Sequence, residues 1–279
     1  MNQYNIKQLL ISIPLMIFLA ACVSLSIPAP TTINNSTMPF RLIELRKSIV
    51  KISAFNKIEF KNKKTGIIKT STLSASGTGG VFKNIDNQTI ILTADHICNI
   101  GIPEIQSKFI NYDKELFETK VLTLFQVTKY SGENYFGIKL LSNNTAGLCA
   151  IVFQNLNLPP LIPAFNVPVL GDKIHYMGYP KGIWSAGYTP FFSGYYAGSI
   201  AEDNLNAAAY SVPSTTGCSG SPILNDYGEL IGLVSGYIVD FNDLTIGPTL
   251  IQIKEFLIIS EMHYKKYQKS IQEFFIKSS

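Results

Sequence analysis

The chain has 279 residues, of which 46% are hydrophobic and 15% are charged, and its formal net charge is +4. This composition excludes a disordered polar chain, and the length suffices for one domain of roughly 200–250 residues. The lysines between residues 57 and 69 are interpreted as a solvated hairpin, although contact with anionic headgroups or nucleic acid is an open alternative. We predict no nucleic-acid partner.

Residues 1–21 have the features of a secretory targeting segment. Lys7 precedes an apolar run from Leu9 to Leu19, which is shorter than the roughly 20 apolar residues that a bilayer-spanning helix requires. The run ends in Leu-Ala-Ala-Cys at residues 19–22. Residues 22–40 are rich in Ser, Thr, Pro and Asn, which predicts a flexible linker.

The Leu-Ala-Ala-Cys sequence resembles the lipobox of bacterial lipoproteins. The resemblance implies cleavage before Cys22 and lipidation of its thiol. Several acyl chains would anchor the protein firmly to a bilayer, on the periplasmic side or at the cell surface. An ordinary cleaved signal peptide and an uncleaved anchor are the alternatives. Lipid anchoring therefore predicts an extracytoplasmic location.

Residues 41–259 are predicted to form the folded domain, because short β-branched and aromatic runs alternate there with turn residues. A helix is expected from about Lys254, and residues 260–279 are predicted to be a helical tail. Many short strands with one terminal helix favour an all-β barrel fold. The predicted strands are 48–55, 57–60, 89–93, 116–128, 136–142, 148–153, 173–178, 207–212 and 229–236, with a further strand from Val81.

The segment Thr216–Leu224 (TGCSGSPIL) carries the strongest chemical signal. A serine becomes a good nucleophile when it lies on a tight turn, near a base, with backbone N–H groups directed at the oxyanion. Gly217 and Gly220 flank Ser219 and permit such a turn. The N–H groups of Gly217 and Ser219 can then form the oxyanion hole. An ordinary Ser/Gly turn between strands is the alternative.

Four segments together resemble the chymotrypsin/trypsin-like serine protease family. Residues 217–222 match Gly-x-Ser-Gly-Ser-Pro, and residues 93–98 are similar to the Thr-Ala-x-His-Cys segment. Residues 77–82 resemble the Gly-x-Gly-hydrophobic strand that precedes the histidine segment in this family, and residues 171–180 resemble the segment that opens its second barrel. The order of histidine before serine also agrees with this family. The resemblance implies a chymotrypsin-like double six-stranded β-barrel with a C-terminal helix.

The family resemblance assigns roles to two residues. Ser219 would be the nucleophile of a serine endopeptidase, and His96 its general base, acting through an acyl-enzyme on a peptide or protein substrate. Cys218 is the rival nucleophile, but glycine directly follows Ser219 and not Cys218. His175 is predicted to be structural and His263 to be solvated. No cofactor and no metal site are predicted.

The acid of the family's catalytic triad is not evident. The register of the family's acid-bearing strand places Gly147 at that position. Two alternatives are left open: Asn143 or Asn144 orients the imidazole, or a carboxylate from Asp86, Asp113 or Glu133 reaches it. Asp95 is not counted, because the side chain of a sequence neighbour usually points away. The alternative function is a catalytically impaired, membrane-tethered module that binds peptides or envelope proteins.

The resemblance also implies a Cys98–Cys149 disulfide, since the family's base and acid strands converge; two free thiols are the alternative. The specificity pocket would be lined by residues 213–216 and 234–236, which include no carboxylate. This favours small or uncharged substrate side chains over lysine or arginine.

Overall fold

The computed structural model describes residues 40–99, 117–202, 205–238 and 241–278. Cys22, Asp113 and the predicted signal segment lie outside these ranges. A short helix α1 (Phe40–Leu45) and a 3-10 turn (Arg46–Ser48) lead into the first strand.

Six antiparallel strands close the first barrel in the order β1-β2-β3-β6-β5-β4. In β1, buried Ile52, Ala54 and Ile58 alternate with more exposed residues, so one face of the strand lines the barrel. Every residue of β3 is buried. The strands are β1 (Ile49–Asn62), β2 (Ile68–Ile85), β3 (Gln88–Ala94), β4 (Phe117–Thr128), β5 (Asn134–Asn143) and β6 (Leu148–Gln154).

A seven-stranded sheet in the order β11-β10-β7-β8-β9-β13-β12 forms the second barrel. The edge strands β11 and β12 are separated in the chain only by Val234 and Ser235. The Val234 N–H donates to Ser221 and the Ser235 N–H to Ile246, so the two edges of the sheet meet at this link. The strands are β7 (Lys173–Met177), β8 (Phe191–Glu202), β9 (Leu205–Tyr210), β10 (Pro222–Asn225), β11 (Leu230–Leu233), β12 (Gly236–Ile238) and β13 (Phe241–Gly247).

If β11 and β12 are counted as one interrupted strand, each barrel has six strands. The predicted chymotrypsin-like double β-barrel is therefore confirmed. Strand limits differ in places from the sequence-based prediction: the single strand Ile49–Asn62 replaces the two strands predicted at 48–55 and 57–60. The prediction also missed β8, β10 and β13, which are rich in glycine, short, or interrupted by polar residues.

The C-terminal helix α3 (Leu250–Ser278) is a single helix of 29 residues. It begins four residues before the predicted start, because Thr249 caps it: Thr249 accepts from the Gln252 N–H, and the Thr249 N–H donates to the Gln252 side chain. The helix continues through residues 259 and 260, where a domain boundary was expected. Its buried residues Phe256, Tyr264 and Phe275 join the core cluster of the first barrel. Among the described helices, none is long and apolar enough to cross a membrane.

A disulfide joins Cys98 and Cys149, the pair that the family resemblance implied. Cys98 ends the one-turn helix α2 (Asp95–Cys98), and Cys149 lies in β6. The bond attaches the turn that carries His96 to the wall of the first barrel.

Candidate active site

Ser219 lies on a tight turn between β9 and β10. The flanking glycines Gly217 and Gly220 have φ of 90° and 87°, in the left-handed region that favours glycine. A Cβ on Gly217 would collide with the carbonyl of Tyr179, and a Cβ on Gly220 with the carbonyl of Thr78. Both glycines are therefore required by conformation and by close approach. Ser219 itself is half-buried.

Two hydrogen bonds orient the peptide groups that carry the Gly217 and Ser219 N–H groups. The Thr216 carbonyl accepts from the Lys181 N–H at 2.5 Å, and the Cys218 carbonyl accepts from the Ser221 N–H at 2.9 Å. In a trans peptide the N–H points away from the C=O. The N–H groups of Gly217 and Ser219 are thus turned to the opposite side, and neither donates to another described residue. This is the arrangement that an oxyanion hole needs.

His96 is the second residue of α2, the helix that directly follows β3, and its side chain is exposed. Gly77 lies between this helix and the serine turn: a Cβ on it would be 2.9 Å from both the Ser219 carbonyl and the Ile97 side chain. A Cβ on Gly220 would be 3.1 Å from the Ala94 nitrogen. The residues flanking His96 and Ser219 are therefore in contact across the boundary between the two barrels.

Thr78 of β2 joins these parts. Its N–H donates to the Ser219 carbonyl at 2.8 Å, and its hydroxyl donates to the Gly217 carbonyl at 2.9 Å. The same hydroxyl accepts from the Tyr179 N–H at 3.1 Å. The Thr78 carbonyl accepts from the Thr93 hydroxyl at 2.7 Å. One fully buried residue thus binds both the serine turn and the strand that leads to His96.

Replacing Thr78 with valine should lower the free energy of unfolding by about 1–3 kcal/mol. The substitution preserves shape but leaves the Gly217 carbonyl and the Tyr179 N–H buried without their partner. Urea denaturation followed by tryptophan fluorescence measures the change. Thr78→Ser keeps the hydroxyl and should lose less stability than Thr78→Val. A loss in Thr78→Ser as large as that in Thr78→Val would contradict a dominant contribution of the hydroxyl.

Gly147 lies beside the histidine turn, just before β6. Its carbonyl accepts from the Asp95 N–H at 2.9 Å, and a Cβ on it would lie 3.1 Å from the Ser235 hydroxyl. Ser235 adjoins Val234, whose carbonyl accepts from the Gly220 N–H at 2.7 Å. Gly147 is therefore close in space to the neighbours of both His96 and Ser219.

The other acid candidates lie differently. Asn143 accepts from the Ala146 N–H at 3.0 Å and so caps its own turn, while Asn144 is exposed beside it. Asp86 accepts from Gln268 at the turn before β3, at the opposite end of that strand from His96. Glu133 contacts Lys129 and precedes β5, whereas the turn with Gly147 follows that strand. Asp113 lies outside the described residues.

Asp95 is buried, and no sequence pattern indicated the contacts that surround its carboxylate. Its carboxylate accepts from the Asn99 amide at 2.6 Å, and the same amide donates to Ser142. Lys139 donates to the Asn99 carbonyl oxygen at 2.7 Å. Burial raises the pKa of the Asp95 carboxyl, although the Asn99 hydrogen bond and the charges of Lys139 and His96 act in the opposite direction.

A raised pKa in the folded state means that folding favours protonated Asp95. Its contribution to stability is therefore present at low pH and is lost as the pH rises from the ordinary aspartate pKa through the raised value. We expect Asp95→Asn to have a higher melting temperature than the parent at pH 7, with the difference shrinking below pH 4. Thermal unfolding scans from pH 7 to below pH 4 measure this difference in melting temperature. The exposed Asp243→Asn is the control, and a destabilised Asp95→Asn at pH 7 would contradict the expectation.

The other candidate residues are engaged elsewhere. Cys218 is buried, and the Tyr176 hydroxyl contacts its sulfur at 3.7 Å while donating to the Pro213 carbonyl. Burial raises the pKa of the Tyr176 phenol. His175 is buried, with one ring nitrogen 2.6 Å from Asp226 and the other 2.8 Å from Ser193. His263 is half-buried against Tyr267 on α3.

The predicted pocket residues surround the same turn. Ser214 is buried, and its hydroxyl has no hydrogen-bond partner among the described residues. A Cβ on Gly236 would lie 3.6 Å from Ile246 of β13, which the sequence did not indicate as a neighbour. The position of Gly236 opposite Ile246 follows from the pairing of β12 with β13.

Comparison with known proteins places the chain in a family. Residues 77–233, more than half of the chain, match the trypsin-like peptidase domain. The chain therefore belongs to the trypsin-like serine peptidases, and this range contains both Ser219 and His96.

Solved structures share the fold. The serine endoprotease from Yersinia pestis is 16% identical, with a TM-score of 0.55; the match covers 81% of this chain and 66% of that one, just under two thirds of its length. Rv3671c from M. tuberculosis H37Rv, solved as an inactive serine-to-alanine mutant, is 14% identical with a TM-score of 0.54. That match covers 84% of this chain and 95% of the other.

Proposed function

We propose that the protein is a serine endopeptidase in which Ser219 attacks the peptide carbonyl and His96 acts as general base. The observation that carries the proposal is the contact between the two turns through Thr78 and Gly77, where the Gly217 and Ser219 N–H groups have no backbone acceptor among the described residues. A nucleophile, a base and two donors are the groups that acyl transfer requires.

The proposed reaction has two stages. The Ser219 oxygen bonds to the carbonyl carbon while His96 takes its proton, and the N–H groups of Gly217 and Ser219 stabilise the oxyanion. Protonated His96 then gives the proton to the leaving amine as the peptide bond breaks, which leaves an acyl-enzyme. In the second stage His96 deprotonates a water molecule that attacks the ester and releases Ser219.

We further propose that Gly147 occupies the position of the triad acid, since it adjoins both Asp95 and Ser235. A glycine side chain cannot accept a hydrogen bond from the imidazole. In other serine proteases, replacing the acid lowers turnover about 10⁴-fold. Full activity would therefore need an acceptor from another residue, and Asp113 is the sequence candidate that the described contacts leave open.

A tethered peptide-binding module is the second candidate function, and Gly147 is the observation that favours it. The same cleft would then hold a peptide without cleaving it. Binding and catalysis make different demands on Ser219, because only catalysis requires its oxygen to react.

A fluorophosphonate probe separates the two functions, since it forms a covalent bond with an activated serine. We expect the folded chain to be labelled, Ser219→Ala to lose all labelling, and His96→Ala to label far more slowly. Cys218→Ala is the matched control next to the nucleophile and should label at the parent rate. A folded parent that does not react would favour the binding module.

The labelling rate also identifies the acid. If Asp113 orients His96, Asp113→Asn should slow labelling about 10³- to 10⁴-fold, while Glu133→Gln and Asp86→Asn leave the rate unchanged. If none of the three slows it, Gly147→Asp is informative. A faster rate in that variant would show that an acid at position 147 can serve the imidazole.

We propose that Cys22 is lipidated and that the protein is anchored to a bacterial membrane on its extracytoplasmic side. The support is the Leu-Ala-Ala-Cys sequence after a short apolar run. Radioactive palmitate should be incorporated into the chain during growth in a bacterial host, and Cys22→Ala should abolish incorporation. Incorporation that persists in Cys22→Ala would overturn the assignment.

A further inference from the structure

The hairpin of β1 and β2, together with β4, forms a three-stranded ribbon at one end of the first barrel. We define the ribbon tip as residues 55–74 and 117–124. The strands pair in register, so that Phe55 lies opposite both Ser74 and Leu124, and Lys57 lies opposite both Thr72 and Leu122. Directly opposed residues share a face of the sheet. These six side chains therefore lie on one face, which is the outer one.

Large apolar side chains are exposed on this face. Leu122 is 65% exposed, Phe55 is 44% exposed and Leu124 is 42% exposed, and Ile67 and Ile68 at the turn are each 59% exposed. The first three line a shallow groove of about 450 Å³ with Leu73. Isolated exposed apolar residues are common, whereas a continuous apolar surface indicates an interaction site.

The same region carries an excess of positive charge. The ribbon tip contains six lysines and two glutamates. Lys57, Lys61 and Lys120 lie on the outer face with the apolar residues and are exposed. Glu59 and Glu118 lie on the same face, and Lys57 forms an ion pair with Glu59 at 3.1 Å. The sequence predicted a solvated hairpin here, but it did not show that leucine and phenylalanine would lie between the lysines.

We propose that the ribbon tip binds the surface of a bilayer that contains anionic lipids. The aliphatic and aromatic side chains would enter the boundary between headgroups and acyl chains, and the lysines would contact lipid phosphates. Lysine is depleted at protein–protein interfaces, so this mixture of lysine and exposed leucine favours a lipid surface over a protein partner. Nucleic acid would satisfy the lysines but would leave the leucines in water.

The test places an environment-sensitive nitrobenzoxadiazole label at Thr72→Cys, on the outer face beside Lys57. The full chain carries Cys22→Ser, so that the introduced thiol is the accessible one, because Cys98 and Cys149 are bonded and Cys218 is buried. Vesicles of phosphatidylcholine with 30% or no phosphatidylglycerol are compared, at about 0.1 M salt. We expect a blue shift with anionic vesicles only. The same label at exposed Ser199→Cys of the second barrel should not shift.

Charge reversal of Lys57, Lys61 and Lys120 to glutamate should weaken the response to anionic vesicles by about 100-fold or more. The matched control reverses Lys173, Lys269 and Lys277, which changes the net charge equally but lies outside the ribbon. Every variant keeps the same N-terminal segment, so that segment cannot produce the difference. The proposal is overturned if the Thr72 label does not shift, if both charge reversals act equally, or if neutral vesicles or self-association produce the same shift.

Discussion

The contact of Thr78 with the serine turn is the interaction on which the rest of the site depends. Ser219 belongs to the second barrel and His96 to the first, so neither barrel can assemble the pair alone. Thr78 uses its N–H and its hydroxyl to hold the carbonyls of Ser219 and Gly217, and its own carbonyl accepts from Thr93. Thr78, Thr93 and Gly217 are buried, so their hydrogen-bonding groups would carry a desolvation penalty if a partner moved away. The relative position of the two barrels at the cleft is thereby restricted.

A second set of hydrogen bonds orients the proposed oxyanion hole before a substrate arrives. The Lys181 and Ser221 N–H groups donate to the carbonyls of Thr216 and Cys218, so the Gly217 and Ser219 N–H groups already point to the opposite side. In the proposed mechanism these N–H groups would need no reorganisation during the reaction. This preorganisation is independent of the triad acid, since it involves only the backbone and the close fit of Gly217 and Gly220. A chain can therefore retain oxyanion stabilisation while the orientation of its imidazole depends on a separate residue.

Much of the architecture was predictable because the informative residues are close together in sequence. The Gly-Cys-Ser-Gly-Ser-Pro segment indicates a tight turn by composition, and the strand before His96 is a short apolar run. Other features were not predictable, because they arise from pairing across strands. The strand β8 contains two glycines and polar residues, yet it pairs with both β7 and β9. Buried Asp95 is linked through Asn99 to Lys139 and Ser142, and these two residues are too distant in sequence for a local pattern to indicate the contact. The sequence indicated Thr78 only as part of a glycine-rich segment and did not predict its hydrogen bonds to the serine turn.

Gly147 is the residue proposed to occupy the position of the triad acid. The register of the acid-bearing strand is the first support for the proposal that Gly147 occupies the acid position. Its contacts are the second: the Gly147 carbonyl accepts from the Asp95 N–H, and a Cβ at this position would face Ser235. Its φ of 67° also favours glycine, although aspartate and asparagine tolerate this region better than most residues. An acid at this position would adopt a strained backbone conformation, and Ser235 would have to shift by a few tenths of an ångström to accommodate its Cβ. The backbone conformation and the close approach of Ser235 therefore both favour the glycine that is present.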